Sequence, residues 1–443
     1  MSIEAGGESR TADSTPVHAA RDARRVGLAC GVGTAIERYD FLIYGTAAAV
    51  VFGPQFFPQV SELAGRLAAF ATFAIGFVAL PLGAIVMGHF GDRLGRKSML
   101  VWSLMLMGGA TFGIGLLPTY QQIGIWAPLL LVTLRFVQGF ALGGEWGGAV
   151  LMSVEHAPRE RRGLYGSFVA LGLPIGLILA NLVFLIASIG ITQEQFLVWG
   201  WRVPFLASAV LVAIGIFVRA GVAESPVFAD VKRRQAEHRT PVVDVLRGHW
   251  DTVLLAAGSC LSSSALGYIA TVYFVSYATR EIGLPLTTTL SVLVISSVVF
   301  GVSLVTFATR SDRWGRRRTM RIGLGALVLW SCVFFPLIDT GSAPLIGLAV
   351  GGLLLLQGPY MGAQPATFAE LFPATVRYSG ASLSQTLGVI AGGALAPVIA
   401  ATLFGLARRS WPITLYLVAL SIVSWACALR LNETYRRALT HEG

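Results

Sequence analysis

The chain has 443 residues, a formal net charge of +10 and a hydrophobic content of 55%, while 13% of its residues are charged. So few charges could not cover the surface of a soluble protein of this length, so the composition excludes a soluble globular domain and predicts a bilayer protein. The basic excess does not indicate nucleic-acid binding, because the lysines and arginines are distributed among alternate loops.

Twelve apolar runs are long enough to cross about 30 Å of hydrocarbon, and each must be helical because lipid cannot satisfy free backbone groups. The predicted helices lie near residues 26–52, 68–90, 99–117, 126–151, 164–190, 201–223, 252–279, 287–308, 322–338, 344–368, 380–406 and 411–431. Residues 1–25 are polar and predict a disordered cytoplasmic N-terminus, and residues 432–443 predict a cytoplasmic tail.

The basic residues indicate the orientation of these helices. Of the 33 lysines and arginines, 26 lie in the termini and in the loops after helices 2, 4, 6, 8 and 10. Since basic loops stay in the cytoplasm, we expect both termini there. We also expect a multi-pass protein of a bacterial plasma (inner) membrane that acts as a monomer. Five arginines fall on the other side: Arg66, Arg202, Arg280, Arg408 and Arg409.

A loop motif occurs twice, once in each half of the chain. Gly88–Lys97 (GHFGDRLGRK) returns as Ala308–Arg317 (ATRSDRWGRR), and Glu155, Pro158 and Arg162 return as Glu370, Pro373 and Arg377. The repeat predicts two six-helix bundles, at 26–225 and 251–431, joined by a cytoplasmic loop at 226–250. Parallel repeats place a substrate between the halves near the membrane midplane. The alternative is a duplicated channel or scaffold, but the Gly- and Pro-rich helices favour a transporter whose halves rock.

Five ionisable residues lie well inside the predicted helices, all of them on helices 1 and 4: Glu37, Arg38, Asp40, Arg135 and Glu145. Each isolated charge would cost at least about 2.5–3.5 kcal/mol, so these residues must pair or face water. Counting residues from the helix ends places Arg135 level with Asp40 and Glu37, so a contact among them is expected.

Three carboxylates and two guanidiniums leave one carboxylate without a partner. If its arginine contact is made in one conformation and broken in another, that acid binds and releases a proton. We therefore predict a proton-coupling set of Asp40, Glu37, Arg135 and Glu145. The alternative is a fully paired, static network that fixes helix packing.

Polar residues in the predicted helices are candidates for contacts with a substrate. They are Arg38, Tyr44, Gln138, Trp146, Asn181, Tyr268, Tyr273, Gln357, Tyr360 and Gln364. Tyrosine and glutamine in a helical bundle also serve simply as interhelical contacts, so the two interpretations compete at each position. No nucleophile–base set or cluster of metal ligands occurs, so we expect neither an enzyme nor a cofactor or metal.

These residues together resemble a known family. Gly88–Lys97 resembles the loop motif of the major facilitator superfamily, and Arg135–Gly139 (RFVQG) resembles its helix 4 motif. Several segments resemble the metabolite:proton symporter branch: Thr34–Phe41, Gln138–Gly148, Trp201–Phe205, Glu224–Phe228 and Glu370–Tyr378. The resemblance implies twelve helices in two pseudo-symmetric bundles, alternating access and proton-coupled uptake of small polar metabolites.

The resemblance also implies a gate at the cytoplasmic ends of the helices. Asp92 would latch the two halves near the positive N-terminus of helix 11. The gating residues would be Gly88, Asp92, Arg93, Gly95, Arg96, Lys97, Glu155 and Arg162, with Asp312, Arg313, Gly315, Arg316, Arg317, Glu370 and Arg377. The alternative is that these basic loops set topology alone, but the repeated spacing of glycines and charges argues against it.

The chain departs from the family pattern at two positions. Family members usually carry Trp at the position of Arg38 and Arg at the position of Leu80. One hypothesis is that Arg38 supplies the guanidinium that helix 2 lacks and binds a substrate carboxylate. The other is that Arg38 neutralises Glu37 or Asp40.

The sequence therefore favours a proton symporter that imports a small, carboxylate-bearing or zwitterionic metabolite. The alternative is a proton-coupled exporter (antiporter) of drugs or metabolites with the same fold. Exporters typically have Gly-Pro-x-x-Gly in helix 5, whereas this chain has Gly172-x-Pro174-x-Gly176, which favours import. A sugar porter and a non-transporting membrane receptor or scaffold are further alternatives.

Overall fold

The structure is a computed structural model that describes residues 16–94, 96–143, 145–155, 157–220, 245, 247–373 and 376–435. It describes the backbone alone at 16–26, 87–94, 96–100, 145 and 218–220. All regular structure within the described ranges is helical.

Twelve long helical units follow one another along the described chain, and several of them are interrupted by a break or a π-helical turn. They are α1 (Pro16–Val50), α2 (Glu62–Leu94), α3 (Arg96–Leu116), α4 (Trp126–Leu142 and Glu145–Glu155), α5 (Arg162–Ala170 and Gly172–Ser188), α6 (Arg202–Ala220), α7 (Trp250–Tyr268, a π-helical turn Ile269–Tyr273, and Phe274–Arg280), α8 (Leu286–Trp314), α9 (Arg316–Ile338), α10 (Ala343–Leu371), α11 (Arg377–Val389, a π-helical turn Ile390–Ala394, and Ala396–Ala407) and α12 (Trp411–Arg430).

Length and hydropathy mark these helices as membrane-spanning. Nine helices of the described chain are long and apolar enough to cross a bilayer, and a tenth passes if the pair Gln193–Gly200 and Arg202–Phe217, bent by 43°, forms one span. The apolar part of α3, Val101–Leu116, is shorter. In α1, three charges at the centre, Glu37, Arg38 and Asp40, lower the hydropathy of a helix that is 35 residues long. The prediction of an all-helical membrane fold is confirmed.

The helices of each half pack mainly against one another. In the first half α1 lies against α5, α2 against α4, and α3 against α6; in the second half α10 lies against α8 and α9, and α7 against α11 and α12. The predicted connector, 226–250, falls mostly outside the described residues, so its limits stay a prediction. We call the end where α1 begins and α12 finishes the terminus end, and the other the opposite end.

Glycines allow α2 and α4 to lie unusually close together. A Cβ atom on Gly139 would lie 1.9 Å from the carbonyl oxygen of Gly76, and one on Gly143 would lie 2.3 Å from that of Leu80. A side chain at either position would push the helices apart. On Gly76 a Cβ atom would lie 2.7 Å from Nε of Arg135, so the bare backbone there leaves space for the arginine.

Candidate functional site

A cavity lies between the two halves. Four helices from each half line it: α1, α2, α4 and α5 from the first, and α7, α8, α10 and α11 from the second. This matched contribution follows from the internal repeat, because equivalent helices of the two halves face each other. The cavity is the place where a parallel-repeat membrane protein would hold a small molecule.

The first-half face of the cavity carries the charged residues. Among the described residues that line the cavity, Glu37 and Arg38 are the charged ones, and Leu80 lies on the same lining. Arg38 is half-buried, forms no ion pair with a carboxylate of the described residues, and lies beside Tyr268 of α7. Its guanidinium therefore has donors available to the cavity.

The second-half face of the cavity is polar without being charged. The thiol of Cys260 accepts hydrogen bonds from the Tyr360 hydroxyl and from Nε2 of Gln364, both at 3.1 Å. Gln364 also donates to Oε1 of Gln385, whereas Nε2 of Gln357 donates to the carbonyl oxygen of Ser263 at 3.0 Å. These side chains form a hydrogen-bonding surface that suits hydroxyl and carboxyl groups of a small molecule.

Arg135 lies behind the cavity wall and is fully buried. Its guanidinium carbon lies 4.0 Å from the ring centroid of Phe41, 4.2 Å from that of Tyr44 and 4.8 Å from that of Phe73. Its Nε and Nη2 both donate to the carbonyl oxygen of Phe73 at 3.4 Å. Arg135 forms no ion pair with any carboxylate of the described residues, so aromatic rings and a backbone carbonyl balance its charge instead.

Asp40 is also fully buried, and among the described residues neither of its carboxylate oxygens has a hydrogen-bond partner. It lies beside Thr111 of α3. A short chain of hydrogen bonds joins this place to the arginine: Nη1 of Arg135 donates to Oε1 of Gln138 at 3.1 Å, and Nε2 of Gln138 donates to Oγ1 of Thr111 at 2.7 Å. Asp40 and Arg135 are therefore not in contact, because the side chains of Gln138 and Thr111 lie between them.

The structure divides the residues expected to touch a substrate into two groups. Six of them line the cavity: Arg38, Trp146, Tyr268, Gln357, Tyr360 and Gln364. Four lie elsewhere: Tyr44, Gln138, Asn181 and Tyr273. Gln138 belongs to the hydrogen-bonded series between Arg135 and Thr111, the Tyr44 hydroxyl donates to Oγ1 of Thr72 at 2.7 Å, and Nδ2 of Asn181 donates to the Leu177 carbonyl oxygen at 2.8 Å. Tyr273 packs among the rings of Phe70, Tyr277 and Phe335.

The residues expected to couple protons are also separated. Glu37 lies on the cavity lining and has a polar or charged contact elsewhere in the chain, whereas Asp40 and Arg135 lie behind it. The side chain of Glu145 lies outside what the structure describes.

The second copy of the loop motif joins the halves at the terminus end. Asp312, at the end of α8, accepts hydrogen bonds from the backbone N–H groups of Gly163 and Leu164, at 2.8 and 3.1 Å, at the start of α5. This carboxylate lies on the positive N-terminus of a helix of the other half. Arg316 holds the same carboxylate at 2.7 Å and reaches Glu370 at 3.3 Å.

Two further ion pairs cross between the halves at this end. Arg162 lies 3.9 Å from Glu370, and Arg377 lies 3.4 Å from Glu155. Two other expected gating residues, Arg313 and Arg317, lie on the same motif: Arg313 is exposed, and the backbone N–H of Arg317 donates to Glu433 at 3.1 Å. Gly315 has a φ of +96°, a conformation that favours glycine, where α8 turns into α9.

The first copy of the motif, Gly88–Lys97, lies partly outside the described residues. The structure describes the backbone alone at Gly88, Asp92, Arg93, Arg96 and Lys97, and Gly95 lies outside the described residues. Their gating role stays a prediction that the resemblance implies.

Two ion pairs join the halves at the opposite end. Arg66 of α2 lies 2.7 Å from Glu281, and Glu62 of α2 lies 2.6 Å from Arg280 at the end of α7. We call them the opposite-end pairs. Inter-half contacts therefore bound the cavity at both ends.

Sequence reasoning missed several polar residues of the site. Thr111, Cys260, Ser263 and Gln385 were not singled out, although each contacts a residue that was. Serine, threonine and cysteine in membrane helices commonly bond to their own helix, so such residues carry little signal for function. Within the described residues, no three metal-ligating side chains converge on one point.

Two bundles of membrane helices around a central cavity that holds several polar side chains, with contacts between the bundles at both ends, define the architecture of a secondary transporter. Comparison with known proteins agrees. Residues 33–397 match the model of the Major Facilitator Superfamily. The chain therefore belongs to the Major Facilitator Superfamily, whose members are transporters and not enzymes.

Two relatives and one solved structure show how far the similarity extends. The inner membrane metabolite transport protein YhjE of Escherichia coli is 44% identical, and the shikimate transporter of the same species is 41% identical, each over 94% of this chain and 95% of the relative. The proton:xylose symporter XylE of E. coli superposes with a TM-score of 0.75 at 16% identity, covering 95% of this chain and 98% of that one. The last comparison supports the fold alone.

Proposed function

We propose that the protein is a proton-coupled symporter that imports a small polar metabolite bearing a carboxylate or a zwitterion. The observation that carries the proposal is the fully buried Asp40, whose two oxygens have no hydrogen-bond partner in the described part of the chain. A carboxyl in such a place is costly as an anion and tolerable as a neutral acid. A conformational change that brings it to water or to Arg135 would therefore release its proton.

Arg135 supports the same reading because it is held away from the acid in this conformation. Its contacts are aromatic rings, the amide oxygen of Gln138 at 3.1 Å and the carbonyl oxygen of Phe73 at 3.4 Å, which are weaker partners than a carboxylate. Gln138 and Thr111 lie between the two groups, so a small shift of α1 against α4 would exchange these contacts for an ion pair. Alternating formation and loss of that pair would couple proton release to the rocking of the halves.

The cavity supports a carboxylate-bearing substrate. Arg38 presents a planar donor fork that suits a carboxylate, and the amides and hydroxyls of the second-half face suit the hydroxyl groups of a polar ring or chain. A relative of this chain is named a shikimate transporter, and a hydroxylated cyclic acid would meet both requirements. We therefore rank hydroxy acids first and zwitterions such as betaine second.

The setting proposed for this activity follows from the distribution of charge. The lysine and arginine bias supports a cytoplasmic location for both termini, and the name of a relative supports the bacterial inner membrane. The terminus end would then be the cytoplasmic end, and the opposite-end pairs would face outward. One chain encloses the whole cavity, which supports a monomer as the working unit.

The proposal is tested by accumulation against a gradient. Purified protein in vesicles with an alkaline lumen should accumulate a radiolabelled hydroxy acid above the external concentration, and collapsing the pH gradient should release it. Asp40→Asn should abolish this accumulation yet still exchange labelled for unlabelled substrate. The matched control is Asp251→Asn, at an exposed aspartate in the first turn of α7, which should behave as wild type. Unchanged accumulation by Asp40→Asn would refute the assignment.

A further inference from the structure

A layer of aromatic rings separates the cavity from the buried acid and base. Phe41, Phe77 and Tyr268 line the cavity, whereas Asp40 and Arg135 do not. The three ring centroids lie 5.1 Å (Phe41–Phe77), 5.3 Å (Phe77–Tyr268) and 6.3 Å (Phe41–Tyr268) apart. We call these three residues the aromatic wall.

The aromatic wall lies directly in front of the Arg135 compartment. Phe73 stands behind it, with its ring 5.2 to 5.6 Å from all three wall rings, and the Arg135 guanidinium lies over Phe41 and Phe73. Ring centroids at these distances are in packing contact, and both Arg135 and Asp40 behind them are fully buried. In this conformation the rings therefore keep cavity water from Arg135 and from the hydrogen-bonded chain that leads to Asp40.

The three wall residues do not belong to the same half of the molecule. Phe41 is on α1 and Phe77 on α2, both in the first half, but Tyr268 is on α7 of the second half. Asp40, Thr111 and Arg135 belong to the first half as well. When one half rocks against the other, Phe41 and Phe77 move with the acid, while Tyr268 moves away from it.

The backbone next to Tyr268 departs from regular α-helix. Tyr268 ends one segment of α7, immediately before the π-helical turn Ile269–Tyr273. Its ring packs on Gly393, where an added Cβ atom would lie 2.6 Å from Cδ2 of the tyrosine, and Gly393 lies in the π-helical turn Ile390–Ala394 of α11. Single π-helical turns within α-helices are frequent at functional sites and mark places where a helix can bend.

From this arrangement we infer that Tyr268 is the movable member of the aromatic wall, a positioning residue that controls when water and protons in the cavity reach Asp40. This inference rests on the proton-coupled transport proposed above. Its hydroxyl lies beside Arg38 on the cavity side and near Arg135 behind the wall, so a carboxylate bound at Arg38 would act on the residue that closes the compartment. Occupancy of the cavity and access to the acid would then be linked through one side chain.

Thiol labelling tests the aromatic wall without a measurement of proton transport. In a background with Cys30, Cys332 and Cys427 replaced by serine, one variant keeps the native Cys260, which lines the cavity. A second variant replaces Cys260 by serine and carries Thr111→Cys behind the wall. A small water-soluble methanethiosulfonate should label Cys260 faster than the cysteine at position 111. The ratio of the two rates corrects for how often the cavity opens.

Substitution of Tyr268 should change that ratio in a specific way. Tyr268→Ala should speed labelling at position 111 relative to Cys260 by about ten-fold, because removing the ring opens the wall permanently, whereas Tyr268→Phe should leave the ratio at its wild-type value. Tyr268→Leu gives an intermediate rise and serves if the alanine variant does not fold. An unchanged ratio in both the alanine and leucine variants, or a phenylalanine variant that behaves like alanine, overturns the inference.

A second readout separates this inference from the proposed function. Vesicles containing Tyr268→Ala should dissipate an imposed pH gradient without substrate, and Tyr416→Phe, on α12 and outside both the cavity lining and the wall, should hold the gradient as wild type does. If labelling responds as expected but the wild-type protein moves no protons with substrate, the wall stands and the proposed function fails. If the alanine variant holds the gradient while wild-type coupling is measured, the role of Tyr268 fails alone.

Discussion

The two faces of the cavity differ in charge although they derive from one repeated unit. The first-half face and the layer behind it hold Glu37, Arg38, Asp40 and Arg135, whereas the second-half lining is formed by amides, hydroxyls and a thiol. A charge in a membrane interior costs free energy, so placing the charges of the cavity and of the layer behind it in one half favours a functional role for them there. We therefore propose that the first half carries the charge-dependent steps and that the second half contributes shape and hydrogen bonds.

The largest effect is expected from removing the guanidinium of Arg38 from the first-half face of the cavity. Arg38→Gln should raise the half-saturating concentration of a carboxylate substrate by about 10- to 100-fold, since hydrogen bonds to charged groups contribute about 1.5–3 kcal/mol. Uptake of labelled substrate at increasing concentrations measures the effect. The half-saturating concentration of Arg38→Lys should lie between those of Arg38→Gln and the wild type. An unchanged half-saturating concentration would mean that Arg38 does not hold the carboxylate.

The position of the guanidinium offers a sharper form of the same test. Leu80 lines the same cavity as Arg38, on the neighbouring helix. The double variant Arg38→Trp, Leu80→Arg keeps one arginine at the cavity but places it on α2 instead of α1. The order of preference among competing organic acids should therefore change. If competition by a panel of acids gives the wild-type order, the relocated-arginine hypothesis is wrong.

Changes on the second-half face should be smaller and should leave coupling intact. Gln357→Ala, which removes the amide on the Ser263 carbonyl oxygen, should raise the half-saturating concentration by about 2- to 10-fold, as expected for neutral hydrogen bonds of about 0.5–1.5 kcal/mol. The number of protons moved per substrate should stay at the wild-type value. A change in that number would place part of the coupling in the second half.

The smallest expected effects concern the opposite-end pairs, which differ in exposure. The Arg66–Glu281 side chains are 12% and 23% exposed, and those of Arg280–Glu62 are 24% and 73% exposed. Because solvent screens exposed pairs, Glu281→Gln should favour opening of this end by about 3- to 5-fold and Glu62→Gln by less than about 2-fold. Labelling of Cys260 by a membrane-impermeant thiol reagent measures opening, and equal rates in the two variants would contradict the ranking.

The sequence allowed much of the fold to be predicted, for reasons visible in particular helices. The charges at the centre of α1 keep that helix below the hydropathy of its neighbours, yet its length and the family motif identified it as a span. The repeated loop motif placed Asp312 among the expected gating residues, and in the structure its carboxylate lies at the start of α5. These features depend on spacing along one chain, which a sequence displays directly.

The site was harder to predict because it depends on how each helix is rotated against its neighbours. Counting residues placed Arg135 at the depth of Asp40, but the structure turns its guanidinium onto the rings of Phe41, Tyr44 and Phe73. Gly76 leaves the space for that orientation, and a contact between two helices cannot be read from either helix alone. For the same reason Tyr44 and Asn181 proved to lie away from the cavity, and Cys260 and Gln385 proved to lie on or against it.

The most direct test follows protons rather than substrate. Cells that express the protein are suspended in weakly buffered medium, and the external pH is recorded when a transported acid is added. The account predicts a transient alkalinisation of the medium that is absent from cells expressing Asp40→Asn at the same level. Uptake of the acid by the wild-type protein with no change in external pH, under conditions where a known symporter gives one, would contradict it.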